Sequence, residues 1–279
     1  MTIVLSIIGV MTLVGLFFGV VLALASKKLA VEMNPLVHEV EDALPKGQCG
    51  ACGYAGCQAY AEAVVNDPTV APNLCTPGKA AVAEKVSQLT GKVAEKIEPR
   101  VAFIKCQNPV SVAPSKYEYS GIDDCVAVSL LHLGSKACKY GCVGKGTCVK
   151  HCPFNALTLD AKGLPIVDRE KCTGCGKCEM VCPKHTIEMV PVSAHVGVGC
   201  SSHDRGAQAK KDCPIACIGC TICVKQCPHQ AIHMENNLAV VEHQICMEKC
   251  SDKVCVAKCP QKTIYDIEHA HLDVVSFTV

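Results

Sequence analysis

Two runs of the chain place three thiols at intervals of three residues, with a fourth just ahead of a proline. They are Cys172-x2-Cys175-x2-Cys178-x3-Cys182-Pro183 and Cys217-x2-Cys220-x2-Cys223-x3-Cys227-Pro228. A four-iron, four-sulfur cube needs several thiolates converging from one loop and a distant cysteine to close the last iron. In the bacterial two-cluster pattern the cysteine before the proline ligates the other cluster. Two further runs are stretched versions of the same pattern: Cys138-x3-Cys142-x5-Cys148-x3-Cys152-Pro153 and Cys246-x3-Cys250-x4-Cys255-x3-Cys259-Pro260. In each, the proline fixes the chain direction after the last thiol. Upstream lies Cys49-Gly-Ala-Cys52-Gly-Tyr-Ala-Gly-Cys57, followed by Cys75, which can supply one more set of four.

Applying the exchange of fourth ligands groups Cys138, Cys142 and Cys148 with Cys182, and Cys172, Cys175 and Cys178 with Cys152. It likewise groups Cys217, Cys220 and Cys223 with Cys259, and Cys246, Cys250 and Cys255 with Cys227. Together with Cys49, Cys52, Cys57 and Cys75 these are five 4Fe–4S sites. The chain has 24 cysteines, so Cys106, Cys125, Cys200 and Cys213 remain. They are either the ligands of a sixth cluster or buried free thiols packing as small apolar groups. Zinc competes at every set, because four-cysteine zinc sites also use C-x2-C pairs. Zinc sites, however, usually combine two separated pairs, whereas x2, x2 and x3-C-P in series is a cubane pattern.

The elements that must hold these thiols are small. With no Trp and five Phe, large aromatic side chains cannot organise much of the interior. Each Cys-Pro is followed by a similar pattern. After Cys152 the segments Leu157-Thr-Leu and Leu164-Pro-Ile-Val read as two short strands across a turn, and after Cys227 Ile232-His-Met and Leu238-Ala-Val-Val read the same way. Near the Cys49 set, a short helix is expected over residues 58–65 and a longer one over 79–97, with Pro68, Pro72 and Pro77 in the loop carrying Cys75. Residues 3–25 are uncharged and mostly apolar, long enough as a helix to cross a hydrocarbon core of ~30 Å. No Lys or Arg precedes this run, which argues against a cleaved signal despite Ala23-Leu24-Ala25. Lys27 and Lys28 follow it, placing the C-terminal side in the cytoplasm. There, a reducing environment disfavours disulfides.

The expected fold class is α+β: a transmembrane anchor (1–28), a small helical one-cluster domain (29–98), a connecting segment (99–129), and two ferredoxin-like two-cluster modules (130–192 and 213–279) joined by a polar linker (193–212). Gly9, Gly15 and Gly19 could admit another helix close to the anchor. The 27 Lys and Arg against 26 Asp and Glu leave no basic excess for a nucleic-acid surface. No G-x-G-x-x-G follows a predicted strand, so neither flavin nor nicotinamide has a fingerprint here.

The anchor, the Gly-Tyr-Ala-Gly-Cys57 segment with Cys49, Cys52 and Cys75, the Cys138-Lys-Tyr-Gly-Cys142 segment and Glu235-Asn236-Asn237-Leu238-Ala239 together resemble the B subunits of the Rnf complex, the ion-translocating ferredoxin:NAD oxidoreductase of bacterial membranes. The resemblance covers essentially the whole chain. It implies a single-pass protein of the inner (plasma) membrane with cytoplasmic cluster domains. Such a protein accepts electrons from reduced soluble ferredoxin and relays them to the other subunits, and the complex couples the flow to Na⁺ or H⁺ transport. The chain is then one subunit of a translocase, with no complete active site of its own. The uncharged anchor is a poor candidate for the ion path. Lys136, Lys139, Lys145 and Lys150 form either a docking face for an acidic ferredoxin or an ordinary solvated face. His151, His185 and His229, beside cluster cysteines, read as surface or supporting residues rather than ligands. The alternatives are a polyferredoxin-type subunit of another oxidoreductase, such as a hydrogenase partner or a reductive activator, and a zinc-bound scaffold without redox activity.

Overall fold

A computed structural model describes residues 2–29, 34–94, 98–109 and 113–267. The apolar run forms helix α1 (Thr2–Leu29), with Lys27 and Lys28 in its last turn. Within it Ser6–Lys28 has mean hydropathy 2.7 and is long and apolar enough to cross a membrane. Its large side chains are exposed, and nothing lies within 4 Å of a Cβ built at Gly9, Gly15 or Gly19. The face these glycines offer is bare in the single chain.

A small helical domain follows, with α2 (Pro35–Ala43), α3 (Cys57–Asn66) and α4 (Lys79–Thr90). The α2 helix lies in a stretch whose acidic residues and prolines hid it. Asn34 caps it by accepting from Leu36 N at 3.0 Å, and Pro35 suits its first turn. Val37, Val40, Tyr60, Ala61, Val64 and Val86 bury one face of each helix against the others. Helix α4 stops at Thr90 rather than reaching 97, because Gly91 takes a left-handed conformation (φ 69°) that ends helices. Residues 95–97 of the expected longer helix lie outside the described residues. Lys92 Nζ donates to the carbonyls of Val64, Asp67 and Val70 at 2.6, 2.6 and 2.9 Å, tying this end to the C-terminus of α3.

The remainder is two units of like topology, each a pair of two-stranded antiparallel sheets. In the first, β1 (Arg100–Ile104) precedes α5 (Cys125–Leu130) and α6 (Thr147–Lys150). Then come β2 (Leu157–Leu159), β3 (Pro165–Val167), α7 (Lys177–Met180) and β4 (Ile187–Pro191). Strand β2 pairs with β3, and β1 pairs with β4 in the register Arg100 to Pro191 through Ile104 to Ile187. In the second unit β5 (Val196–Val198) precedes α8 (Gly206–Asp212), α9 (Ile222–Gln226), β6 (Ile232–Glu235), β7 (Leu238–Val241), α10 (His243–Lys249), α11 (Val254–Lys258) and β8 (Ile264–Asp266). Strand β5 pairs with β8, and β6 with β7.

Two segments expected to be connections are therefore part of the folded units. Residues 99–129 contribute β1, whose partner is the last strand of the first unit. Residues 193–212 contribute β5, the edge partner of β8. The units also share a core. A Cβ at Gly197 in β5 would sit 2.7 Å from the ring of the buried Phe103 in β1, and Ile267, after β8, is buried among first-unit residues.

One turn recurs four times. After each Cys-Pro the residue three beyond the cysteine has positive φ: Asn155 (51°), His185 (49°), Gln230 (54°) and Lys262 (49°). Its backbone N donates to the cysteine carbonyl at 3.4, 3.2, 3.3 and 3.1 Å respectively. The left-handed residue turns the chain so that the next residue can start toward a strand while its own N–H approaches sulfur. That bond is seen from Ala156 to Cys152, Ala231 to Cys227 and Thr263 to Cys259, each at 3.3 Å.

Candidate metal centres

In the second unit, Cys217, Cys220, Cys223 and Cys259 line one pocket. Cys227, Cys250 and Cys255 line another, with Cys246 beside all three. Cys178 lies next to Cys172 and Cys152 in the first unit. In the helical domain Cys75 faces Cys57, Cys49 and Cys52. Gln48 orders that loop, its Oε1 accepting from Cys57 N at 2.9 Å.

The stretched first-unit motif is assembled differently from the grouping its spacing suggested. Cys142, Cys148 and Cys182 line a pocket with Cys125, not with Cys138. The cause is local. Asp124 caps α5 by accepting from Val126 N and Ala127 N, and its other oxygen accepts from Thr147 Oγ1 at 2.9 Å. Thr147 Oγ1 in turn accepts from Cys125 N at 2.8 Å. Thr147 begins α6 next to Cys148, so Cys125 is fastened to the neighbour of a pocket cysteine. Cys138 goes elsewhere because residues 114–116 and 135–137 pair as a short ribbon, with Lys116 N donating to Ser135 O and Ala137 N to Pro114 O, each at 2.7 Å. The ribbon delivers Cys138 to a pocket that it shares with Cys106, Cys200 and Cys213.

That pocket lies where the two units meet. Cys106 comes two residues after the end of β1 and Cys200 two residues after the end of β5, equivalent places in the two units. Cys213 follows α8. Its sulfurs already have polar partners: Asn108 Nδ2 donates to Cys213 at 3.3 Å, and Ser202 N and Cys217 N donate to Cys200 at 3.4 and 3.3 Å.

Burial disfavours the thiolate at these positions. It pushes Cys75, Cys148, Cys223 and Cys255 up to about 11, and Cys178, Cys200 and Cys246 to about 12, with neighbouring thiolates adding to the shift. Cys49 alone is lowered, to about 6, through a hydrogen bond from Cys175, which is raised by the same contact. Thiols so placed need a cationic centre to hold them as thiolates.

The donor sets fit 4Fe–4S clusters. Each pocket offers sulfur, with backbone or side-chain N–H groups directed at several sulfurs and apolar neighbours around them. A tetrahedral zinc site draws four sulfurs to ~2.3 Å from one point. Among the described residues no three His, Cys, Asp or Glu side chains converge to hold a single ion. His151 Nδ1 is 2.8 Å from Thr147 O, His185 sits in a Cys-Pro turn, and His229 lines the pocket of Cys227, Cys250 and Cys255. One member of the lysine face needs correcting, Lys136, while the other three stay at the surface. Lys136 is buried, Lys139 pairs with Asp204 at 2.8 Å and Lys145 with Asp123 at 2.7 Å, and Lys150 donates to Asp123 O at 2.7 Å.

Comparison with known proteins agrees with this geometry. A family described as "Putative Fe-S cluster" matches residues 44–77, and "4Fe-4S binding domain" matches residues 165–188. Over 95% of its length the chain is 56% identical to the B subunit of a proton-translocating ferredoxin:NAD(+) oxidoreductase complex of Clostridium ljungdahlii, covering 93% of that protein. The chain belongs to the family of Rnf B subunits. It is 40% identical, over 94% of its length and 78% of the relative's, to the B subunit of the Na(+)-translocating complex of Acetobacterium woodii. The B subunit of an ion-translocating oxidoreductase complex of Methanosarcina acetivorans matches at 38% over 92% of the chain and 96% of its own length. These Rnf relatives thus match the helical domain as well as both cysteine-rich units.

Proposed function

We propose that this chain is the electron-transfer subunit of a membrane Rnf-type complex, holding six 4Fe–4S clusters in one helical one-cluster domain, two ferredoxin-like two-cluster modules and a site between the modules. The ligand sets are Cys49, Cys52, Cys57 and Cys75; Cys172, Cys175, Cys178 and Cys152; Cys125, Cys142, Cys148 and Cys182; Cys106, Cys138, Cys200 and Cys213; Cys217, Cys220, Cys223 and Cys259; and Cys246, Cys250, Cys255 and Cys227. Each cluster, when bound, takes up and passes on single electrons.

The observation that carries this reading is that neighbouring sets touch in series. Cys49 meets Cys175, Cys178 lies by Cys148, Cys142 lies by Cys106, and Cys217 N donates to Cys200 Sγ. Cys223 and Cys227 then stand one helical turn apart on and just after α9. The residues thus lay out one path from the anchored domain to the far end of the second module. Around it, the polypeptide supplies N–H donors to sulfur and an apolar surround that buries eleven of the 24 cysteines.

Reduced ferredoxin is the donor this reading assigns, in keeping with the ferredoxin:NAD(+) oxidoreductase complexes to which two of the relatives belong. The anchor crosses the membrane once, with the modules on the cytoplasmic side after Lys27 and Lys28. The other subunits carry the nicotinamide chemistry and the ion path.

Iron and acid-labile sulfide content, with low-temperature EPR on the anaerobically purified chain, tests this reading. About 24 irons per chain support six cubane clusters. About 20 would leave Cys106, Cys138, Cys200 and Cys213 as thiols, and zinc without sulfide would overturn the electron-transfer role.

A further inference from the structure

Lys136 is the only buried charged side chain among the described residues, 3% exposed. Its ammonium donates to Asn108 O at 2.7 Å and faces Cys106 Sγ at 4.0 Å. Among the described residues no carboxylate pairs with it within 4 Å. An ammonium taken out of water without a counter-charge is costly, so buried charges are paired or lie against metal centres. Among the described residues the anionic groups this ammonium faces are cysteine sulfurs: Cys106 and Cys138 of the pocket between the modules and, beside them, Cys142 of the neighbouring set.

We propose that Lys136 is the buried counter-charge of the site made by Cys106, Cys138, Cys200 and Cys213, and that it makes a cluster held there the most readily reduced in the chain. The proposal rests on the reading that this pocket holds a 4Fe–4S cluster. A thiolate-held cluster gains one negative charge on reduction, so a fixed cation beside it favours the reduced form, most strongly where water cannot screen the field. Hydrogen bonds to sulfur act in the same direction, and this site has two that cross between segments, from Asn108 and Cys217, besides a local one from Ser202 N to Cys200. The other cations near cysteines are less enclosed. Lys184, which lies near Cys182 and Cys138, is only half-buried and is held by the carbonyls of Leu133 and Lys139. The most readily filled site is then the one joining the two modules, where an electron from either side comes to rest.

The test is a redox titration followed by EPR on the full anaerobic chain, comparing wild type with Lys136→Met, Lys136→Gln and Lys136→Arg, with iron counted in each. The proposal expects about 24 irons in all four proteins. The first signal to develop in wild type should develop later, at more negative potential, in the Met and Gln variants, and should keep its place in the Arg variant. An unmoved first signal in both neutral variants overturns the proposal. So does loss of about four irons from both, which would make Lys136 necessary for building the site rather than for tuning it. Failure of the underlying reading looks different: wild type itself would hold about 20 irons, and Cys106→Ser would not lower that number.

Discussion

The pocket of Cys217, Cys220, Cys223 and Cys259 and the pocket of Cys106, Cys138, Cys200 and Cys213 each gather four thiols and are built in opposite ways. The first takes three thiols from seven consecutive residues and its fourth, Cys259, from the end of α11, which packs against α9. The second takes one thiol after β1, one from the end of a ribbon, one after β5 and one after α8, so it exists only when both modules are folded and docked. Local spacing makes a site robust to what happens elsewhere, whereas convergence from distant segments makes a site that reports on the assembly of the whole.

The largest expected effect breaks the comparison at the level of ligand grouping. If Cys138 belongs with Cys106, the double variant Cys106→Ser/Cys138→Ser should lose about four irons, and Cys138→Ser/Cys148→Ser about eight. The grouping suggested by spacing alone, with Cys138 beside Cys148, expects the opposite, and metal analysis of the two proteins decides it. Next, Phe103→Ala removes the ring that packs over Gly197 between the modules. It should lower the local stability of β1 and β5 by about 3–5 kcal/mol, read by hydrogen exchange, and weaken the EPR signal of the converging site before that of the compact one.

A smaller effect, of about 1–3 kcal/mol, is expected in the helical domain from Lys92→Ala, which leaves the carbonyls of Val64, Asp67 and Val70 without their shared donor. Exchange at the end of α3 should quicken, with the module clusters unchanged. Smallest is Asp204→Asn, which removes the partner of the exposed Lys139. Thermal unfolding should shift by no more than about 0–1 kcal/mol, and both compared sites should keep their iron.

Legibility followed the same division. The hairpins after Cys152 and Cys227 could be read in the sequence because short alternating segments across a turn are local signals. So could the pocket of Cys217, Cys220 and Cys223, whose thiols share one loop. Strands β1 and β5 could not, since each finds its partner more than sixty residues away and neither segment announces that partner. The exchange of Cys125 for Cys138 was equally hidden. It depends on Asp124 bonding Thr147 across more than twenty residues, and a motif match that counts intervals sees Cys138-x3-Cys142 as the nearer pair. Lys136, read as one of a surface row, is buried because the ribbon of residues 114–116 and 135–137 turns it inward. The end of α4 at Gly91 was readable in principle, as a glycine after a helical run is an ordinary stop signal.

If the pocket between the modules holds a cluster, the wide spread of its cysteines also sets a timetable for synthesis. The ribosome delivers Cys49 through Cys75 as one early stretch, so that domain can collapse and be loaded while the rest of the chain is still being made. Cys106 and Cys138 emerge next, but their pocket partners Cys200 and Cys213 are absent until the first unit is complete and the second has been begun. Until then these two thiols and Lys136 wait uncovered, and the cell must keep them reduced and unmetallated. Maturation would then have a late step, and a chain that stalls between residues 138 and 200 would be left with an open half-site.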